Sequence, residues 1–188
     1  VKAPGRVETA RLLLSPPEPG DAAAIFQRYA SDPEVTRFLG WPRHRSIDET
    51  HAFVSFSADH WNRWPAGPYL IWSRATGQLL GGTGFTFESP DHVVTGYVLA
   101  KDAWGQGFAT EALTAVVRIA RDIRVARLTA FCHPDHRASQ RVLEKCGFVR
   151  DSAWSQTIEF QNLAAGVQQD VIRYELDPNI PGPIVRSR

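Results

Sequence analysis

Val94-Thr95-Gly96-Tyr97-Val98-Leu99-Ala100-Lys101-Asp102-Ala103-Trp104-Gly105-Gln106-Gly107-Phe108-Ala109-Thr110-Glu111-Ala112 reads as strand, glycine loop and helix in turn. The first residues are β-branched or aromatic, as a strand prefers. After Gly107, the residues Ala109, Ala112, Leu113, Val116, Ala120 and Ile123 recur at the spacing of one helical face. Glycine lets a backbone approach a ligand closely and adopt positive φ. The first turn of a helix presents unpaired N–H groups at the positive end of its dipole. Such a junction binds a phosphate or pyrophosphate. A P-loop is excluded, because no Lys-Ser or Lys-Thr follows the second glycine. A dinucleotide fingerprint fits poorly, because Thr110 stands where a third glycine or alanine belongs and the preceding pattern is not βαβ.

Upstream, Tyr69–Ser73, Leu79–Phe87 and His92–Ala100 are β-rich runs divided by turn residues at Thr76-Gly77 and Ser89-Pro90-Asp91, which predicts an antiparallel meander. Gly81-Gly82-Thr83-Gly84 lies inside the second run and is read as close packing, not as a phosphate loop. Thr9–Ser15 predicts a first strand, ended by Pro16-Pro17. Pro19-Gly20-Asp21 offers an N-cap for a helix to about Ala30, Ser31-Asp32-Pro33-Glu34 a second start, and Ser46 with Glu49 a capping box for a helix toward Trp64. Downstream the pattern predicts a strand at Arg127–Cys132, a helix at Arg137–Cys146 stopped by Gly147, and strands at Phe148–Trp154 and Gln168–Leu176. The class is α/β in the α+β sense. Residues 1–177 are expected to form one domain, and the proline-rich 178–188 a loose tail.

A formal net charge of +1 gives no global footprint for nucleic acid or an anionic membrane. No apolar run reaches membrane-spanning length, and the first residues lack a signal-peptide core. Cys132 and Cys146 are too few for a disulfide framework and fit thiols in a reducing compartment, so the cytoplasm is expected. Cys132-His133-Pro134-Asp135-His136 does not have zinc-ligand spacing, and no metal is expected. The partner is expected to be a small molecule or a peptide end, with no nucleic acid and no membrane.

Trp104-Gly105-Gln106-Gly107-Phe108-Ala109-Thr110-Glu111-Ala112 resembles the cofactor motif of the GNAT acetyltransferases, in the RimJ/RimL branch that acetylates ribosomal-protein N-termini and related amines. A second stretch, His133-Pro134-Asp135-His136-Arg137-Ala138-Ser139-Gln140-Arg141-Val142-Leu143-Glu144-Lys145-Cys146-Gly147-Phe148, resembles the same branch's second CoA-binding segment, with His136 where an asparagine is usual and Ser139 matching its serine. The similarity runs from about residue 8 to residue 176 and includes Glu8-Thr9-Ala10-Arg11-Leu12.

The resemblance implies a GNAT fold, a mixed, strongly twisted sheet of about six to seven strands flanked by helices. It implies acetyl-CoA as co-substrate, held by Trp104, Gly105, Gln106, Gly107, Phe108, Ala109 and Thr110 at the pyrophosphate, and by Tyr97, Val98, Leu99, His136 and Ser139 along the arm. A bulge near Gly96 would splay the central strand and free an amide to polarise the thioester carbonyl. Ser139 and His136 are the candidate catalytic residues near the departing sulfur.

The glutamate and tyrosine that many members use for proton transfer are replaced here by Val94 and Leu143. An α-amine with pKa about 7.7–8.0 needs less help than a lysine near 10.4. The expected acceptor is therefore a protein N-terminal or small-molecule amine, deprotonated through water or by Glu88, Asp91 or His92. Trp41, Trp61, Trp64 and Trp72, with Arg37, Arg43, His44 and Arg45, bracket the expected acceptor region. They suggest an acceptor with an aromatic or aliphatic part and a carboxylate or phosphate for the arginines. The alternative is a CoA-binding module without turnover; the chain could be a monomer or a homodimer.

Overall fold

The computed structural model describes residues 1–180. The chain begins with β1 (Val7–Glu8), β2 (Leu12–Ser15), a 3₁₀ turn at Pro19–Asp21, α1 (Ala22–Ile25), a π-helical turn at Phe26–Ala30, α2 (Pro33–Thr36) and α3 (Ile47–Arg63). The meander follows as β3 (Pro68–Ser73), β4 (Leu79–Phe87) and β5 (His92–Leu99). Then come α4 (Phe108–Asp122), β6 (Arg127–Cys132), α5 (Arg137–Lys145), β7 (Val149–Arg150), β8 (Gln156–Glu159) and β9 (Gln168–Leu176).

The sheet order is β1-β2-β3-β4-β5-β6-β9-β7, with β8 pairing β9 outside that path. All neighbours are antiparallel except β5 and β6. Nine strands stand against the expected six to seven, the additions being the short β1 and β8. The first strand starts at Leu12, not Thr9. Thr9 turns the chain, accepting at Oγ1 from the Leu12 amide at 2.9 Å. The strand expected at Phe148–Trp154 keeps only Val149–Arg150, because the Asp151 carboxylate accepts from the amides of Ala153 and Trp154 and bends the backbone away from the ladder. The helix expected to start from Asp21 does begin after it, at Ala22, but a 3₁₀ turn precedes it and the Asp21 carboxylate accepts from the Glu18 amide at 2.8 Å instead of capping α1.

Strand alternation splits the core between two faces. Ile25, Tyr29 and Val54 from the N-terminal helices meet Leu70 and Leu79 on one face. Leu113, Val116 and Ile119 of α4, with Leu143 of α5, join Tyr69, Ile71 and Phe85 on the other. Each fully buried aliphatic side chain contributes about 1.5–3 kcal/mol, so the amphipathic face of α4 is a main anchor of the fold. The glycines of β4 act as spacers: a Cβ on Gly81 would lie 2.0 Å from the Val98 carbonyl oxygen.

The feature that positions the site is where β5 and β6 part. They pair in parallel only through His92–Val94 and Arg127–Thr129. Beyond that point β5 stays with β4 as far as Leu99, while β6 follows β9. The β4–β5 register is unbroken across Gly96, so the expected bulge there is absent and the opening comes from the divergence of β6. The register shift in the meander lies instead between Ile71 and Trp72, on the β3–β4 side. Of the expected C-terminal tail, residues 181–188 lie outside the described residues. Pro178 and Asn179 are tied to the fold, accepting from Arg121 Nε at 2.7 Å and donating to the Val125 carbonyl at 3.0 Å.

Candidate active site

The loop between β5 and α4 has the geometry its sequence predicts. Gly105 and Gly107 take φ of +73° and +79°, where an L side chain is strained, and Gly107 is the N-cap of α4. The first bond into the helix is Glu111 N to Gly107 O at 3.1 Å, so the amides of Phe108, Ala109 and Thr110 have no intrahelical acceptor. Trp104 donates from its indole to the Leu99 carbonyl at 2.8 Å, and Gln106 from its side chain to the Asp102 carbonyl at 2.7 Å. Phe108 packs inward beneath Arg11, whose guanidinium lies 4.5 Å from the ring centre, so this residue offers its amide rather than its ring.

A clamp that the motif alone did not reveal holds this loop. Arg11 donates to the Gln106 carbonyl at 2.8 Å and pairs with Glu111 at 2.7 Å, while Thr9 Oγ1 donates to Glu111. Burial acts to raise the Glu111 pKa, but the bonds from Thr9 and Arg11 outweigh it and hold the carboxyl below its ordinary range. The sequence signal was the Thr9-Ala10-Arg11-Leu12 segment, whose polar residues leave the ladder to reach α4.

Beside the loop lies the opening between β5 and β6. Ala100 N donates to Leu80 O, so by antiparallel alternation the amides of Tyr97 and Leu99 face away from β4 and into the opening. Val98 has its backbone turned to β4 and lines the opening with its side chain. Tyr97 reaches α5, with its hydroxyl 2.8 Å from Ser139 Oγ and 3.0 Å from the Ser139 carbonyl oxygen. Burial pushes the Tyr97 hydroxyl well above the ordinary tyrosine range, so it remains a phenol. His136, at the start of α5, stacks on Phe38 with ring centres 5.0 Å apart, and burial with its neighbour His133 lowers its pKa. Leu143 is buried in the core below. Unpaired amides directly after two left-handed glycines, next to strands that open, fit a pyrophosphate followed by a thin thioester-bearing arm.

A cavity of about 860 Å³ continues from this opening. Tyr97, Cys132, His136 and Ser139 line it, together with Trp41, His44 and Phe53. His44 Nδ1 lies 2.8 Å from Thr50 Oγ1; burial lowers its pKa, partly offset by the Glu49 charge. Asn162 clasps this wall, donating to the carbonyls of Thr36 and Trp41 and accepting from the Arg43 amide at 2.7 Å. Neither His44's pairing nor Asn162 carried a recognisable sequence signal.

Several expected participants lie elsewhere. Glu88, Asp91 and His92 do not line the cavity. His92 has its nitrogens 2.9 Å from the Glu88 carboxylate and 2.8 Å from Thr129 Oγ1. Arg37, Arg43 and Arg45 are also outside the lining. Of the four tryptophans, Trp41 alone faces the cavity; Trp61 donates to the Pro68 carbonyl, Trp72 to Ser15 Oγ, and Trp64 stacks on Phe87. Trp154 lines it unannounced. His133, next to Cys132, has Nε2 3.1 Å from Gln169 Oε1 and accepts from the Asp135 amide at Nδ1, which gives it a structural task.

Comparison with known proteins agrees with this geometry. A family model described as an acetyltransferase (GNAT) domain matches residues 11–149. The chain is 31% identical over 159 residues to YoaA of Bacillus subtilis (strain 168), described as an uncharacterized N-acetyltransferase, which covers 83% of this chain and 89% of that one. It is also similar to a GNAT-family acetyltransferase from Bacillus anthracis, with a TM-score of 0.79 at 22% identity over 93% of this chain and 99% of that one. RimL, a ribosomal L7/L12 alpha-N-protein acetyltransferase in complex with coenzyme A, gives a TM-score of 0.78 at 22% identity over 93% and 98%.

Proposed function

The chain belongs to the GNAT acetyltransferase family and is an acetyl-CoA-dependent N-acetyltransferase; we propose how its own residues carry the reaction and which amines it accepts. The acceptor is a primary amine of low pKa, a protein N-terminus or a small molecule, and residues 1–177 act as one domain in a reducing, cytoplasmic setting. The observation that carries this reading is the continuity of three parts: the Gly105–Thr110 amides, the opening beside Tyr97, and the cavity beyond Ser139.

Bound acetyl-CoA supplies the acetyl group as a thioester. The amides from Gly105 to Thr110 hold its pyrophosphate, with Trp104 flanking the loop and Arg11 fixing its shape. Amides of Tyr97 and Leu99 stabilise the charge that develops on the thioester oxygen, as preorganised donors do in a water-poor site. The amine nitrogen forms the new bond to the acetyl carbon as the carbon–sulfur bond breaks. Ser139, hydrogen-bonded to Tyr97, relays a proton to the leaving sulfur, taking one from solvent as it gives up its own, with His136 beside it.

The amine's proton needs an acceptor within the cavity. His44 is suited: Thr50 holds Nδ1, which directs Nε2 to the ligand, and burial keeps the ring neutral near pH 7. Glu49 stabilises the imidazolium once it forms. Glu49 itself is a weak base, because the amides of Arg45 and Ser46 bond its carboxylate and hold its pKa down.

Calorimetric titration with acetyl-CoA, ATP and NAD separately tests the donor half. Acetyl-CoA alone is expected to bind, near one per chain. Binding of ATP or NAD with equal strength would overturn the reading, and acetyl-CoA binding without thiol release for any amine would leave a CoA-binding module.

A further inference from the structure

The character of the cavity wall selects among amines, an inference that rests on the acetyltransferase reading. Phe56 and Phe131 remain 50% and 42% exposed, and both line the cavity. Large rings left in water at the mouth of a cavity mark a surface that a ligand covers. Trp154 lies 5.5 Å from Phe131 at 38°, and Trp41 and Phe53 add to the aromatic lining. Among the described residues the lining contains no lysine and no arginine, and its one carboxylate is Glu49. Arg37, Arg43 and Arg45, the candidate partners for an anion, all lie outside the lining.

An anionic acceptor would therefore be desolvated against aromatic rings and a carboxylate with no counter-ion, an arrangement that strongly disfavours it. A protonated amine meets the reverse, since Glu49 and the faces of the rings attract a cation on entry. We infer that the cavity accepts a primary amine attached to an aromatic or bulky apolar group, with no anionic group beside the amine. The amine end reaches Ser139 and Tyr97, and the apolar end lies among Phe56, Phe131 and Trp154.

Phenylalaninamide, phenylalanine and glycinamide separate the requirements, because the first two differ by a carboxylate and the first and third by a ring. Thiol release with saturating acetyl-CoA gives kcat/KM for each, and quenching of the Trp41 and Trp154 emission reads amine binding in the presence of CoA without turnover. Phenylalaninamide is expected to exceed each of the others by about 10-fold or more. Phe56→Ala with Phe131→Ala is expected to raise its KM by about 10-fold while leaving the calorimetric Kd for acetyl-CoA unchanged. Equal or better kcat/KM for phenylalanine or glycinamide would overturn the inference, as would acetyl-CoA binding accompanied by neither turnover nor quenching with phenylalaninamide. Failure of acetyl-CoA to bind would instead overturn the acetyltransferase reading on which it rests.

Discussion

Ser139 and His44 both line the cavity and divide the proton traffic between them, and each role can be tested alone. Removing a positioned acid or base costs about 10²–10⁴-fold. Ser139→Ala and His136→Ala should lower kcat, and the donor-side assignment fails if both stay within about three-fold of the parent. His44→Gln keeps a side-chain amide that can donate to the Thr50 hydroxyl oxygen but cannot take up a proton. It should lower kcat by about 10²-fold and remove the acid limb of the kcat pH profile, which a purely structural role would leave in place. An unchanged limb would return the proton route to water. Ser139 and His136 were legible in the sequence because they belong to a contiguous motif. His44 was noted only as one more positive charge among arginines. Its character depends on Thr50 and on burial, which no local pattern encodes.

Among the elements, legibility followed periodicity. The meander β3–β5 and the later β6 and β9 were recognisable to within a residue or so, because each alternates or runs apolar between clear turn residues. β8 was missed, since Gln156-Thr157-Ile158-Glu159 has one aliphatic residue and is defined by its pairing with β9. The splay of β5 was expected for a partly different reason: the sequence pointed to a bulge at Gly96, whereas the cause is where β6 stops pairing. The loop after β8 matters to the site through Asn162, which bonds three backbone groups between Thr36 and Arg43. Net values of about 0.5–1.5 kcal/mol for each of the three bonds suggest that Asn162→Ala costs about 1.5–4.5 kcal/mol. Thermal unfolding should show that loss, and loosening of the acceptor wall should raise the amine KM while the acetyl-CoA Kd is unchanged. A variant with normal stability and normal KM would show that the clasp does not order the wall.

Across the whole molecule, three partly or fully buried histidines set how the fold responds to acid. Burial lowers the pKa of His44, His60 and His136, with Arg63 adding to the effect at His60 and His133 at His136, while Glu49 opposes it at His44. His60 is 8% exposed and accepts from the Phe87 amide at Nε2, a bond that only its neutral form can make. The unfolded chain protonates these groups near pH 6.5, about their free value, whereas the folded chain resists until lower pH. Between those values the unfolded state holds more protons, so stability is fully present above about pH 6.5 and is lost as the pH falls through the folded pKa values. The carboxylates held low by their partners, Glu8, Glu49, Asp102, Glu111 and Asp151, extend the loss below their free values of about 4, leaving the interval from about pH 7 to 5 to the histidines. Each kcal/mol moves the Tm of a chain this size by about 2–4 °C, which scanning calorimetry resolves. The Tm should fall across that interval. His60→Gln, which can still accept from Phe87 but does not titrate, should fall less, and equal declines in variant and parent would remove His60 from the account.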